Sequence, residues 1–354
     1  MAPKSRPGCP PSEILSENLA LQSSAGLRAG LAVLLAATLS ACAVAPKTPR
    51  PDSPEYRRSW GLEAVNARPA YLEGATGRGV TVALIDCGLE EAQPEVRRNL
   101  SKRSIDLIAQ RTAATPRDRH ADLVAGPLGS ALDGRGLVGV AYNATLLSVR
   151  ADIDGGFEGQ CAFRPADLAR ALDYAVDSGA RVVIMPLQAR KPLGAPFERA
   201  LKRTVDSGVA VVIAAGNGGD DAPSYPARYA ADPRFEGGIV TVGALGTGGD
   251  LARWSNRAGP AASHFLMAPG EGVITDCDAK WCRRVSGTSV AAPYVGGALA
   301  LILERWPKLD GRGAISALTA GAQDRGDIGP DRVYGRGVLD IGGAFALARR
   351  STAS

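Results

Sequence analysis

The chain has 354 residues, 45% of them hydrophobic, which is enough apolar material for one large or two ordinary globular domains. Its formal net charge is only +5, with the cations spread along the chain, so composition points away from a nucleic-acid partner or any other polyanion. At 5% aromatic residues, a base- or sugar-stacking surface is equally poorly supported.

The first informative stretch is "LRAGLAVLLAATLSAC" (27–42), a cation and a short apolar run followed by small residues and Cys42. Such a run is too brief to span a bilayer comfortably and fits the core of a signal peptide. Its ending, Leu39-Ser40-Ala41-Cys42, resembles a bacterial lipobox, which implies a lipoprotein signal peptide over 1–41 and lipidation of Cys42. The competing reading is an ordinary secretory signal with a chance cysteine. Glu13 and Glu17 stand where such a leader is usually basic, so translation is expected to begin nearer Leu27. The next stretch, 42–59, carries Pro46, Pro49, Pro51 and Pro54 and is expected to be a stiff extended tether, at roughly 3 Å per residue, ahead of a domain over 60–350.

From Gly79 onward, short β-branched runs alternate with helical patterns. Strands are expected over 79–86, 144–151, 181–187, 209–215 and 238–245, several of them apolar at consecutive positions, as strands buried on both faces are. The segment 165–179 places Leu168, Leu172, Ala175 and Val176 on one helical face and stops at Gly179. The units "AVDSGARVVI" (175–184) and "TVDSGVAVVI" (204–213) echo one another as helix end, glycine and strand. The pattern predicts an α/β fold in which helices flank a mostly parallel sheet, with function gathered at the strands' C-terminal ends.

Four polar residues stand at such ends. Asp86 closes a strand, His120 opens a helix, Asn217 follows the strand ending Ala214-Ala215-Gly216, and Ser289 opens the late helix in "SGTSVAAP". Each has an ordinary explanation: turn residues for Asp86 and Asn217, a cap for His120, an N-cap for Ser289. Together they supply a nucleophile, a base, a carboxylate to orient the base and an amide to bind an oxyanion. The other histidine, His264, lies in an apolar strand-like segment and reads as structural.

The motifs around these residues resemble those of the subtilisin family of serine peptidases from about Trp60 to Arg349. They are "WGLEAVNARPAYLEGATGRGVTVALIDCG", "RHADLVAG", "GRGLVGVAYNATLLSVRA", "AAGNGG", "VSGTSVAAPYVGGALALI" and "YGRGVLDIGGAFA", the fifth being the most specific. The resemblance implies a three-layer subtilisin-like fold, an Asp86–His120–Ser289 triad, and Asn217 as oxyanion donor. It also implies a cleft bordered by Pro186, Leu187, Gln188, Ala214, Ala215 and Gly216, along which a peptide adds as a strand. The sequence departs from the family in places. Ala121-Asp122-Leu123 replaces Gly-Thr-His after the first histidine, Cys87 replaces Thr or Ser, and Pro186-Leu187-Gln188 replaces Ser-Leu-Gly. Too few residues separate Cys42 from Trp60 to form a folding propeptide.

Of the six cysteines, Cys87, Cys161, Cys277 and Cys282 fall in the expected domain. In an exported protein they permit Cys277–Cys282 and Cys87–Cys161 bridges, and four free thiols are the alternative. Two histidines and no paired C-x-x-C make zinc a poor reading. No cofactor is required for the expected chemistry. A structural calcium stays open, since "GDIGPDR" offers carboxylates without EF-hand spacing. The expected protein is thus a monomeric serine endopeptidase acting on peptides or proteins. A lipid would anchor it in the cell envelope, with Ala43 pointing to an outer membrane and the enzyme facing the periplasm or the surface. The alternatives are an inactive peptide-binding lipoprotein of the same fold and a transpeptidase in which an amine resolves the acyl-enzyme. The segment 152–164 is a candidate rim loop for either activity.

Overall fold

A computed structural model of the chain describes residues 48–90, 93–108, 119–153, 161–278 and 280–353. The expected signal peptide, Cys42 and the tether up to residue 47 lie outside the described residues. In chain order the elements are α1 (Pro54–Arg58), α2 (Gly61–Ala64), α3 (Arg68–Leu72), β1 (Thr81–Asp86), β2 (Ile105–Asp106), α4 (His120–Gly129), β3 (Thr145–Arg150), β4 (Asp152–Ile153), β5 (Ala162–Phe163), α5 (Pro165–Asp177), β6 (Val182–Met185), α6 (Ala195–Asp206), β7 (Ala210–Ala214), β8 (Ile239–Leu245), β9 (Phe265–Pro269), β10 (Val273–Thr275), β11 (Arg283–Val285), α7 (Thr288–Arg305), α8 (Gly311–Ala320) and α9 (Ile341–Ala353).

Every expected strand forms, trimmed by a residue or two at its ends. Seven strands make one sheet in the order β2-β3-β1-β6-β7-β8-β9, and each neighbouring pair is parallel. Consecutive apolar residues are needed because both faces are covered. Val82 and Leu84 of β1, Val182 and Ile184 of β6, and Val212 of β7 enter one core with α4, α7, α8 and α9. Ala83, Ile85, Val183, Met185, Val211 and Ile213 point the other way, into a second core with α5 and α6. Alternation along a strand thus divides one apolar run between two cores, giving three layers.

The central element of the first core is α7, in which every residue from Val290 to Leu303 is buried. A helix apolar all round belongs in an interior. Its glycines admit the close approach that the small-residue pattern suggests. A Cβ on Gly297 would lie 2.7 Å from the Val140 Cβ, and one on Gly296 would lie 2.3 Å from the Ile184 Cδ1. This packing brings the N-terminal turn of α7 under the C-terminal ends of β6 and β7.

Two expectations are corrected. Residues 54–58 of the presumed extended tether are helical. The Ser53 side chain accepts from the Tyr56 N–H, Pro54 takes the first turn where its missing N–H costs nothing, and Tyr56 is buried. The folded part therefore begins before Trp60. His264 ends a 3-10 turn over Gly259–His264 rather than lying within a strand, although β9 starts at the next residue. No helix among the described residues is long and apolar enough to cross a membrane.

Candidate active site

The last residue of β1 and the first of α4 meet. Asp86 is 2% exposed, and its two carboxylate oxygens lie 2.9 and 3.0 Å from His120 Nδ1. An ionised carboxylate only accepts, so Nδ1 is the donor, and in the neutral ring Nε2 is then the nitrogen that keeps its lone pair. The Cys87 N–H donates to Asp86 Oδ1 at 2.7 Å, which fixes the carboxylate from behind. The Cys87 Sγ is 3.0 Å from the same oxygen. That sulfur is bonded to Cys161, with the Cα atoms 5.9 Å apart, so it has no proton to donate. The bridge ties the end of β1 to the start of β5. Cys277 and Cys282 are paired as well, with a Cα–Cα separation of 4.0 Å. A cavity of about 860 Å³ surrounds this second bridge and Trp281, but none of the four expected site residues lines it.

The second half of the site forms where β7 ends and α7 begins. Gly216, at φ 110°, turns the chain out of the sheet in a conformation that favours glycine. Its N–H donates to Thr288 Oγ1 at 3.2 Å. Asn217 Oδ1 then accepts from both the Thr288 N–H and the Thr288 hydroxyl, each at 2.9 Å. With its oxygen so committed, the Asn217 side chain has only its NH2 group left to offer. Ser289 is the second residue of α7 and Gly287 is the cap, which corrects the reading of Ser289 as an N-cap. In that place its backbone N–H is among the first-turn donors a helix cannot satisfy internally, at the positive end of the helix dipole.

Asp86, His120, Asn217 and Ser289 line one cavity of about 430 Å³. Of the expected cleft residues, Pro186, Leu187, Gln188 and Ala214 line it too. The other two do not. Ala215 is fully buried against the core of Phe265 and Met267, and Gly216 is turned toward Thr288. Cys161 and Phe163, from the expected rim segment, contribute instead, as do Ser286 and Thr288; residues 154–160 of that segment lie outside the described residues. Gln188 bends across the cleft, and its Oε1 accepts the Asn217 N–H at 3.1 Å.

One supporting residue escaped the sequence reading. Asn256, fully buried, accepts the Gly218 and Asp220 N–H groups on Oδ1, each at 3.0 Å. Through Nδ2 it donates to Ala215 O at 3.1 Å and Ser224 Oγ at 3.0 Å. It thus clamps the loop that carries Asn217, yet "WSNRA" has no local pattern to reveal it. Among the described residues, the one cluster of three potential metal ligands is Asp86, Cys87 and Cys161. With the two sulfurs bonded to each other, that cluster offers no thiolate.

The unusual residues after His120 form a charged support. Buried Asp122 accepts the Glu90 N–H at 3.0 Å and sits 3.5 Å from Arg119 Nε. Arg119 also reaches Asp276 at 2.9 Å and Glu90 at 3.6 Å. Asp122 therefore holds the segment that follows Asp86 against the helix that starts at His120. Burial pushes its carboxyl up from 3.8 to about 6, although the Glu90 N–H and Arg119 favour the ionised form. The folded protein then binds this proton more tightly than the unfolded chain. The resulting stabilisation is complete below about pH 3.8 and is lost as pH rises through about 6. Asp122→Asn is neutral at every pH, so its melting temperature should fall less steeply than the wild type's across that window. Parallel melting curves would contradict the assignment.

Comparison with known proteins identifies the family. The family model described as the subtilase family matches residues 77–337. The chain is 30% identical to the major intracellular serine protease of Bacillus subtilis (strain 168) over 251 residues, which span 68% of this chain and 74% of that protein. It is 29% identical to subtilisin BL of Lederbergia lenta over 281 residues, 79% of this chain and 96% of that protein. It is 27% identical to a thermostable alkaline protease of Halalkalibacterium halodurans over 285 residues, 80% of this chain and 73% of that protein. By these matches, which its mostly parallel sheet fits, the chain belongs to the subtilase family of serine peptidases.

Proposed function

We propose that the protein is a serine endopeptidase that cleaves peptide bonds through an acyl-enzyme on Ser289. The observation that carries this reading is the hydrogen-bonded Asp86–His120 pair in one cavity with Ser289 and Asn217. His120 Nε2 takes the Ser289 proton as Oγ attacks the scissile carbonyl. Asp86 holds the ring and stabilises the imidazolium that results. Charge developing on the carbonyl oxygen is met by the Asn217 NH2 group and the Ser289 backbone N–H. His120 then protonates the leaving amine, water enters, and the same steps in reverse order release the acid. A peptide substrate lies along Pro186–Gln188 as an added strand, where the Pro186 carbonyl still accepts though its nitrogen cannot donate.

The cellular setting is part of the proposal. The lipobox-like Leu39–Cys42 supports an enzyme outside the cytoplasm, held by a lipid on Cys42, and Ala43 favours an outer membrane. Two disulfides within the domain suit an oxidising compartment.

Two experiments test these statements. A fluorophosphonate should add once to the folded protein, with the label on Ser289, and Ser289→Ala should take up none. A folded sample that forms no adduct would favour the inactive peptide-binding reading, and products carrying an added amine would favour transpeptidation. Cys42→Ala should move the protein from the membrane fraction to the soluble fraction, and unchanged retention would overturn the anchor.

A further inference from the structure

A second cavity, of about 670 Å³, adjoins the catalytic one and shares Gln188 and Asn217 with it. Its wall includes Arg190, Arg228, Ser224 and a single carboxylate, Asp220. Its position fixes which part of a substrate enters. His120, which must face the leaving amine, lines only the first cavity. The second shares Gln188 and Asn217 with the first and is lined by neither His120 nor Ser289. A side chain entering there belongs to the residue whose carbonyl is attacked, because that side chain branches from the Cα bonded to the carbonyl carbon.

The groups facing this space are mostly donors. The Gln188 Oε1 is taken by the Asn217 N–H at 3.1 Å, which leaves its NH2. Ser224 Oγ accepts from Asn256 Nδ2 at 3.0 Å, which leaves its hydroxyl proton. The Arg228 Nε donates to Pro223 O at 2.9 Å and its guanidinium stacks 5.3 Å from the Tyr225 ring centre, so the cation is held in place. Among the described residues neither Arg190 nor Arg228 makes an ion pair. Two guanidinium groups outnumber the one carboxylate, and guanidinium geometry suits a carboxylate ligand.

We infer that this cavity selects an acidic side chain, glutamate or aspartate, on the acyl side of the bond cleaved. The inference rests on the proposed peptidase reading and names its substrate class. Gln188 sits at the shared wall, so it both bounds the cavity and offers the carboxylate a neutral donor.

The test compares peptides that differ only in Glu or Gln before the scissile bond, which match in size and differ in charge. The expected kcat/KM favours Glu by about tenfold, and the ratio shrinks as salt is raised. In Arg190→Gln/Arg228→Gln, shown to be folded by circular dichroism, the ratio should fall toward one. Equal rates for the two peptides, or a Glu preference that survives in the double variant, would overturn the inference. The same peptides can be titrated against Ser289→Ala by fluorescence anisotropy, where Glu should bind more tightly than Gln. That readout needs no turnover. A missing fluorophosphonate adduct would therefore sink the peptidase reading alone, and equal binding of the two peptides would sink the inference alone.

Discussion

The arrangement depends on one cross-link, the hydrogen bonds between Thr288 and the turn Gly216–Asn217. Thr288 donates twice to the Asn217 side-chain oxygen and accepts from the Gly216 N–H. One residue thus settles the direction of an amide, the path of the chain leaving β7, and the start of α7. Because Ser289 is the next residue, its place relative to Asn217 follows from the same bonds. An amide able to rotate freely would present oxygen or nitrogen alike to a developing oxyanion. Committing its oxygen leaves only donors, and a preorganised donor is what stabilises such charge.

The sheet supplies the other half of the convergence. In a parallel sheet all strands end on the same side, so Asp86 at the end of β1 and Asn217 just past β7 share that rim without any special loop. Each is then held by neighbours in space. The Cys87 N–H backs Asp86, buried Asn256 clamps the Asn217 loop, and Asp122 with Arg119 binds the segment after Asp86 to the helix of His120. The Cys87–Cys161 bridge adds the rim hairpin of β4 and β5 to the same support. Close packing of α7 through Gly296 and Gly297 transmits this rigidity to Ser289.

Much of this was legible in the sequence, for identifiable reasons. Consecutive apolar residues marked the strands because both faces are buried, and residues at strand and helix ends marked the site because parallel topology gathers those ends. The less visible features depend on contacts distant in sequence. Nothing near Asn256 signals that it serves a loop some forty residues away. Four prolines suggested an extended tether, yet Ser53 capping and burial of Tyr56 turn 54–58 into helix. The family resemblance implies that Ala215 borders the cleft, but its side chain is buried in the core while Ala214 lines the cleft. The sequence shows Asp122 only as a departure from the histidine motif, because its partners include the Glu90 N–H, some thirty residues away.

The central claim is that Asn217, oriented by Thr288, is the oxyanion donor for chemistry on Ser289. Asn217→Asp keeps an oxygen for Thr288 to donate to while replacing the NH2 group with a second acceptor. Steady-state kinetics on a peptide substrate should then show kcat lower by about 10²–10³-fold with KM little changed. A folded Asn217→Asp protein with a kcat close to the wild type's would contradict the account.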